Sequence, residues 1–466
     1  MKRLFIGDNL PVLRCLDSGI ADLIYLDPPF NSGRDYVRPI GGEGRRVEEA
    51  FKDTWTLSDT HEDEAFALSR MHKETMHLID TLSLIQGGGW KAYLIYMGIR
   101  LAEMRRILKP TGSVCYHCDP TMSHGVKLLM DAIFGGGNFL NDIVWNYDGP
   151  QSPSPKKFAT KHDNILRYAK NIKKVFASAG DMFDLREIRE PELGKKYKKD
   201  AGGYFYDLPP GDYAEDSIRR MEAEGRVRRT KNGKVRIKYY LVEKQGGYYR
   251  RKKIPSVWFD IPSLGQSSGK EKTGWPTQKP VALLERIIKA SSDEGGVVLD
   301  PFCGCGTTLV AAEKLNRKWI GIDVSKKAVD ILFDRMPLFK NAKGGDGIER
   351  FEGKLPKRAD LPPPTDRAIL RDRLYAAQGG KCAAPCGENG KDGREMDPRD
   401  MELDHGIAKA RGGQNEDSNM QLLCGNCNRI KGADGMTKLR RRILEKRTRE
   451  QMTEYNRERR RLLDGE

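Results

Sequence analysis

Asp27-Pro28-Pro29-Phe30 closes an apolar run, LIYL, that reads as a buried strand. A carboxylate oxygen of Asp27 and the carbonyl of Pro28 are two acceptors side by side. Such a pair can hold both N–H protons of an aromatic amine, whose lone pair is otherwise delocalised into its ring, and so favour a tetrahedral nitrogen. Pro28 and Pro29 stiffen the backbone that aims the carbonyl, and Phe30 offers a ring on which a base flipped out of a duplex can stack. A second constellation lies in VVLDPFCGCGTTLVAAEKL, a strand, a tight turn and a helix. Gly304 and Gly306 let the backbone approach a ligand, and the helix starting near Thr307 offers free N–H groups and a positive dipole end to an anionic group. Asp323 ends the next strand, nineteen residues after Gly304, about where dinucleotide folds keep the acid that takes ribose hydroxyls. Leu309 replaces the third glycine of G-x-G-x-x-G, which disfavours an NAD site. The third constellation is Cys382-x3-Cys386 with Cys424-x2-Cys427, two pairs suited to a tetrahedral structural zinc. A module of that size, about seventy residues, often needs such a staple.

The elements that must hold these groups follow from pattern. FIGD, LIYLD, SVCYHCD and DNILRYA read as strands, and LAEMRRIL and GVKLLMDAIF as helices; this alternation predicts a mostly parallel α/β sheet. It resumes after Lys279 with PVALLERIIKAS, VVLD, TTLVAAEKL and KWIGID. Between the two stretches, residues 171–265 are rich in Lys, Arg, Tyr and Gly. From Arg226 to Lys253 twelve basic residues face one acid, Glu243, and Asn232-Gly233 between β-branched runs predicts a hairpin. Residues 346–366, rich in Gly, Pro and charge, predict a linker. Cys115 and Cys118 in CYHC fall on a strand end and are assigned no metal.

The form D-P-F-x-G-x-G-T-T, with Asp300, Phe302, Gly304, Gly306 and Thr307, resembles the S-adenosylmethionine site of DNA methyltransferases. The resemblance implies that the methionine carboxylate sits at the turn and that Asp323 holds the ribose. DPPF looks like the catalytic motif of amino-methyltransferases acting on DNA. IGDNL precedes it as in that family, where Asp8 would contact the cofactor's adenine region. GSVCYHCDPTMSH, NDIVWNYDG, KHDNILRYAK, VWFDIP and GWPTQKPVALLERII look like successive blocks of the β-class N6-adenine/N4-cytosine methyltransferases, close to the Mod type. The order is that of the permuted class: catalytic block, variable region, cofactor turn. A Rossmann-like fold is implied, with the variable region as the target-recognition insert. Asp at the first motif position favours adenine N6, with cytosine N4 as the alternative. Asn at that position would have pointed to protein-glutamine methylation, and carbon-5 methylation needs a Pro-Cys found here only at Pro385-Cys386.

LDHGIAKARGGQNEDSNMQLLC and CNRIKG resemble the HNH nucleases. That resemblance makes His405 the general base, Asn419 the residue that orients it, and Asp404 and Asn428 ligands of Mg²⁺ or Mn²⁺. A zinc-bound unit that only binds DNA is the alternative.

A net charge of +16 over 466 residues, with a pI near 9.3, predicts a polyanionic partner. Double-stranded DNA is the expected one, with Arg226, Arg228, Arg229, Lys231, Arg236, Arg250 and Arg251 of the insert as phosphate or base contacts; RNA remains a rival substrate. A solvated basic hairpin with a small tyrosine core is the bland reading of the insert. No apolar run approaches the ~18 residues that span a bilayer, and MKRLFIGDN lacks a signal peptide's apolar core. A cytoplasmic protein with no membrane partner is therefore expected, with homodimerisation left open. The predicted organisation is a methyltransferase domain 1–345 containing the 171–265 insert, the linker 346–366, an HNH domain 367–436 and a basic helical tail 437–466. The tail either follows DNA phosphates or packs through Leu439, Ile443 and Leu444.

Overall fold

The computed structural model describes residues 1–40, 46–59, 62–147, 156, 158–176, 183–188, 190–244, 246–265, 271–335, 348–353, 355–356, 358–360, 366–384, 396–406, 419–431, 439 and 453. The chain forms two compact units, Met1–Ala177 with Val257–Glu466, and Ser178–Ser256.

The first unit is built on one nine-stranded sheet. Its strands are β1 (Lys2–Ile6), β2 (Ala21–Leu26), β3 (Leu108–Cys118), β4 (Phe139–Asn146), β5 (His162–Ala169), β6 (Val257–Trp258), β7 (Val297–Asp300), β8 (Lys318–Asp323) and β9 (Ile348–Glu352). The spatial order is β6-β4-β5-β3-β2-β7-β8-β1-β9. β5 runs antiparallel to both neighbours, β3 and β4, and every other adjacent pair is parallel. This is the mostly parallel sheet that the alternation predicts. β2 and β7 are nearly continuous apolar runs, as strands covered on both faces must be.

Helices cap cleanly where the sequence supplies the donor's partner. Asp8 Oδ1 accepts from Leu10 N–H at 3.1 Å and starts α1 (Asn9–Cys15). Asp119 accepts from Met122 N–H and, with Pro120 in the first turn, starts α3 (Pro120–Phe134). Between them α2 runs over Gly88–Ile107, far longer than LAEMRRIL suggests. Its N-terminal half, GGWKAYLIYMG, shows no polar face because α2 is buried from Ala92 to Met104. Downstream lie α4 (Val281–Lys289), α5 (Thr307–Lys314) and α6 (Lys326–Arg335). Cys115 and Cys118 are fully buried on β3.

The predicted linker contains a structural element. β9 extends the sheet beyond β1, with Phe351 opposite Phe5 and their rings stacked at 4.5 Å and 9°. Asp17 Oδ1 then accepts from Ala359 N–H at 2.6 Å, so residues 348–353 and 358–360 are both tied to the methyltransferase part. With only Ile348 and Phe351 apolar, three apart, IERFE lacks the alternation that marks a strand, and the flanking Gly, Pro and charge read as linker.

In the second unit, Val227–Arg229 and Val235–Tyr240 form the hairpin at Asn232-Gly233, with Gly233 at φ 74°. Val235–Tyr240 also pairs with Gly203–Leu208, and Gly247–Lys253 with Phe183–Ile188. The unit is narrower than the predicted 171–265 insert. The C-terminal module comprises α7 (Arg367–Ala377), the antiparallel pair β10 (Met401–His405) and β11 (Met420–Cys424), and α8 (Gly425–Lys431). The tail helix lies outside the described residues, as do Ile443 and Leu444. Leu439 is described and is fully buried against Ala384, Leu423, Cys424 and Cys427. Among the described residues no helix is long and apolar enough to cross a membrane.

Candidate functional site

β2 and β7 are neighbours in the sheet, with Val298 opposite Leu23 and Leu299 opposite Ile24. The segments that leave their carboxyl ends therefore start side by side, although nearly three hundred residues separate them in sequence. Asp27-Pro28-Pro29-Phe30 and, from the turn, Asp300 to Cys305 and Thr307 line one cavity of about 990 Å³, together with Asp8 and Asp323. A crevice at the carboxyl ends of parallel strands is where α/β sheets bind ligands.

The turn is built for close approach. Gly304 has φ +50° and Gly306 φ +76°. A Cβ on Gly306 would lie 2.2 Å from Leu332 Cδ1, and one on Gly304 would lie 3.3 Å from Trp275 Nε1. Asp323 Oδ2 accepts from Gly304 N–H and its Oδ1 from Ser325 N–H, both at 2.7 Å. Burial raises the Asp323 carboxyl to about 6, opposed by those two amides. Asp300 accepts from Phe302 N–H at 3.0 Å. Burial pushes it to about 7 against hydrogen bonds from Thr308 and Phe302, and the charges of Asp27 and Asp323 add to the rise. Each oxygen of Asp323 keeps a free lone-pair direction, as a hydroxyl-binding acid requires. Gly304, bare at the cavity wall, and this acid fit S-adenosylmethionine. Asp8, besides capping α1, pairs with buried Arg100 at 2.9 Å, and Arg100 also binds Asn9 Oδ1 and Glu64.

The catalytic end contains residues to which the sequence reading gave no role. Lys279 Nζ sits 2.6 Å from Asp27 Oδ2 and 5.3 Å from the Phe30 ring centre. His117, fully buried on β3, faces the Phe30 ring at 6.0 Å and 18°. Its Nδ1 bonds Tyr25 Oη at 2.8 Å and its Nε2 bonds Asp163 Oδ2 at 3.0 Å. Burial would raise Asp163, but its bonds to His117 and Tyr147 more than offset this, and its pKa falls below the ordinary value. Asp53 accepts from the backbone of Asn31 and Ser32, holding the turn after Phe30, where Asn31 has φ 59°. Lys279 and His117 lie inside the quoted blocks GWPTQKP and GSVCYHCDP, but their partners are 252 and 46 or more residues distant. Only folding makes the pairing visible.

In the C-terminal module Cys382, Cys424 and Cys427 bring their sulfurs within 4.8 Å of one another. Cys386 lies outside the described residues. Three clustered thiols with a fourth nearby in sequence fit a zinc site. The predicted nuclease residues gather at the end of the β10–β11 hairpin, where Gly406 N–H donates to the Asn419 carbonyl at 2.6 Å. The predicted ligands of Mg²⁺ or Mn²⁺ already have protein partners. Asp404 Oδ2 accepts from Lys431 Nζ at 2.7 Å and from Gln421 Nε2 at 2.9 Å. Asn428 donates to Glu402 Oε2. Strand alternation puts Glu402 and Asp404 on one face, and α8 lays Asn428 and Lys431, three apart, across it. As arranged, Asp404 is engaged through Oδ2 and Asn428 through its amide nitrogen.

Of the predicted DNA contacts, Arg228 and Arg236 converge on Asp207 at 2.6 and 3.1 Å, with Lys198 at 2.9 Å. Arg226 pairs with Glu224 and Arg229 with Glu222. Arg250 lies 4.2 Å over the Tyr206 ring, which stacks on Tyr239. Lys231, at the hairpin tip, and Arg251 are exposed.

A DNA methylase family model matches residues 21–334, and an HNH endonuclease model matches residues 382–434. The chain is 30% identical over 371 residues to the type II methyltransferase M.EcaI of Enterobacter cloacae, covering 73% of this chain and 69% of that one. It is 30% identical over 347 residues to the StyLTI Mod subunit, a type III restriction-modification enzyme of Salmonella typhimurium, covering 67% of this chain and 50% of that one. The DNA adenine methyltransferase YhdJ of Escherichia coli is 25% identical, covering 77% and 92%. By the family match over most of its length, this chain belongs to the DNA methylases and carries an HNH endonuclease domain on its C-terminal side.

Proposed function

We propose that the protein methylates an exocyclic amine of duplex DNA from S-adenosylmethionine, adenine N6 ahead of cytosine N4. The observation that carries this is the cavity shared by Asp27-Pro28-Pro29-Phe30 and the turn residues Gly304, Cys305 and Thr307. S-adenosylmethionine, when bound, supplies an electrophilic methyl group whose S–C bonding pair leaves with sulfur. The turn and the N-terminus of α5 receive its carboxylate, and Asp323 its ribose hydroxyls. Asp27 and the Pro28 carbonyl each accept one amine N–H, which raises the availability of the nitrogen lone pair; the proton shed after transfer goes to Asp27 and on to water. Phe30, backed by His117, supports the base. The catalysis is positioning and electrostatics. The adenine preference draws on Asp27 at the first motif position and on the likeness to an adenine methyltransferase.

The exposed predicted contacts Arg229, Lys231 and Arg251 meet phosphates in this reading, while Arg228 and Arg236 act through the fold of the insert. The Cys382, Cys386, Cys424 and Cys427 set holds zinc. The HNH domain then gives the chain a cutting activity beside its marking activity, a restriction-modification-like pairing. A second reading is favoured by the Lys431–Asp404 pair: a C-terminal module that grips DNA without hydrolysing it.

Full-length protein, labelled cofactor and duplex DNA or RNA test the first reading. Label enters DNA as N6-methyladenine, and Asp27→Ala lowers the rate by at least about 100-fold while retaining DNA binding. Incorporation into RNA alone overturns the substrate assignment. Plasmid cleavage by wild type and His405→Ala in Mg²⁺ or Mn²⁺ tests the second. Metal-dependent cutting lost in the variant supports the nuclease, and no cutting by either supports the binding module.

A further inference from the structure

We propose that Lys279 is a positioning residue for methyl transfer: its ammonium clamps Asp27 Oδ2 and thereby turns Oδ1 toward the incoming amine. The proposal rests on the methyltransferase reading above. Lys279 is only 9% exposed, and a lysine this buried requires partners for its charge. Its ammonium has three donors and a matching set of neighbours: Asp27 Oδ2 at 2.6 Å, the Thr277 carbonyl at 3.4 Å, and the Phe30 ring at 5.3 Å to its centre. Asp27 and Phe30 are the two side chains of the catalytic motif that the target nucleotide must meet, one through its amine and one through its ring. A single cation thus fixes both.

The loop that brings Lys279 there is itself braced. Gln278 Oε1 accepts from Thr273 N–H at 2.9 Å and from Thr273 Oγ1 at 2.7 Å, and Gln278 Nε2 donates to the Glu271 carbonyl at 2.8 Å. Thr277 adopts φ 59°, a left-handed turn that sets Lys279 toward β2. The same loop lays Trp275 against Gly304, so it touches the cofactor turn and the catalytic carboxylate at once. An acceptor carboxylate free to rotate would lose much of the advantage of positioning, because a misplacement of about 1 Å costs on the order of 100-fold in rate.

The test compares wild type, Lys279→Met, Lys279→Arg and Lys279→Ala as full chains. Methyl transfer by wild type establishes the underlying reading; its failure there sinks that reading before the clamp is judged. With wild type active, Lys279→Met is expected to fall about 100-fold in kcat, with cofactor affinity by calorimetry and duplex affinity by anisotropy changed less than about threefold. Lys279→Arg, which keeps the cation, recovers part of kcat. Ethylammonium added to Lys279→Ala raises its rate in a saturable way, a rescue that a packing role does not give. A kcat for Lys279→Met within threefold of wild type, a cofactor affinity reduced in step with kcat, or no rescue by either arginine or the added amine overturns the proposal. A melting curve for each variant separates a lost clamp from a lost fold, and Lys279→Arg carries the decision if Lys279→Met does not fold.

Discussion

Asp300 is a cavity-lining acid whose protonation departs far from that of an ordinary carboxyl. Its carboxyl sits at about 7, driven by burial and the neighbouring acids. A raised acid binds its proton more tightly in the folded chain than in the unfolded one. The stability it gives is complete below pH 4 and is lost as pH rises through 7. Across that window each pH unit costs up to about 1.4 kcal/mol. Asp300→Asn removes the titration, so its melting temperature is expected to fall less between pH 5 and pH 8 than that of wild type. Equal slopes for the two proteins would show that Asp300 does not titrate in this range. At this scale the sequence was most informative where one residue type has one use: Asp27 before two prolines, glycines at positive φ, an acid after the next strand. It was least informative for Lys279, His117 and Asp404. A lysine in TQKP carries no local mark of a partner 252 residues away, and Asp404 reads equally well as a metal ligand and as the counter-ion of Lys431.

Elements divide in the same way. Strands covered on both faces and helices with a clear polar side were readable from periodicity. The first half of α2 and the edge strand β9 were not. One is apolar all round because it is buried; the other hides in a stretch with linker composition. Three substitutions test these elements. Gly306→Ala must place a Cβ against Leu332 at φ +76° and is expected to cost about 2–3 kcal/mol and weaken cofactor binding. Gly295→Ala is its control: φ is +75° but nothing lies within 4 Å, so only backbone strain of about 1–2 kcal/mol applies. Phe351→Ala removes the ring stacked on Phe5 and should cost about 1–3 kcal/mol by chemical denaturation. A cost near zero would return residues 348–352 to the status of linker.

For the whole molecule, the composition alone pointed to a polyanion, and the family match names DNA methylases. The methylase and HNH stretches were legible in outline, through their motif blocks and the cysteine pairs. Chelation tests that division. A strong zinc chelator is expected to unfold the module around Cys382, Cys424 and Cys427 while methyl transfer by residues 1–360 continues; loss of both together would mean one cooperative unit. The sheet adds a temporal consequence. Within this sheet β1 is translated before its partners, yet it lies between β8 and β9 and pairs with residues 318–323 and 348–352. The sheet cannot be complete until translation has passed that point, and the HNH module emerges only afterwards. In any cell making this chain, the half that marks DNA can be complete before the half bearing the nuclease motif exists.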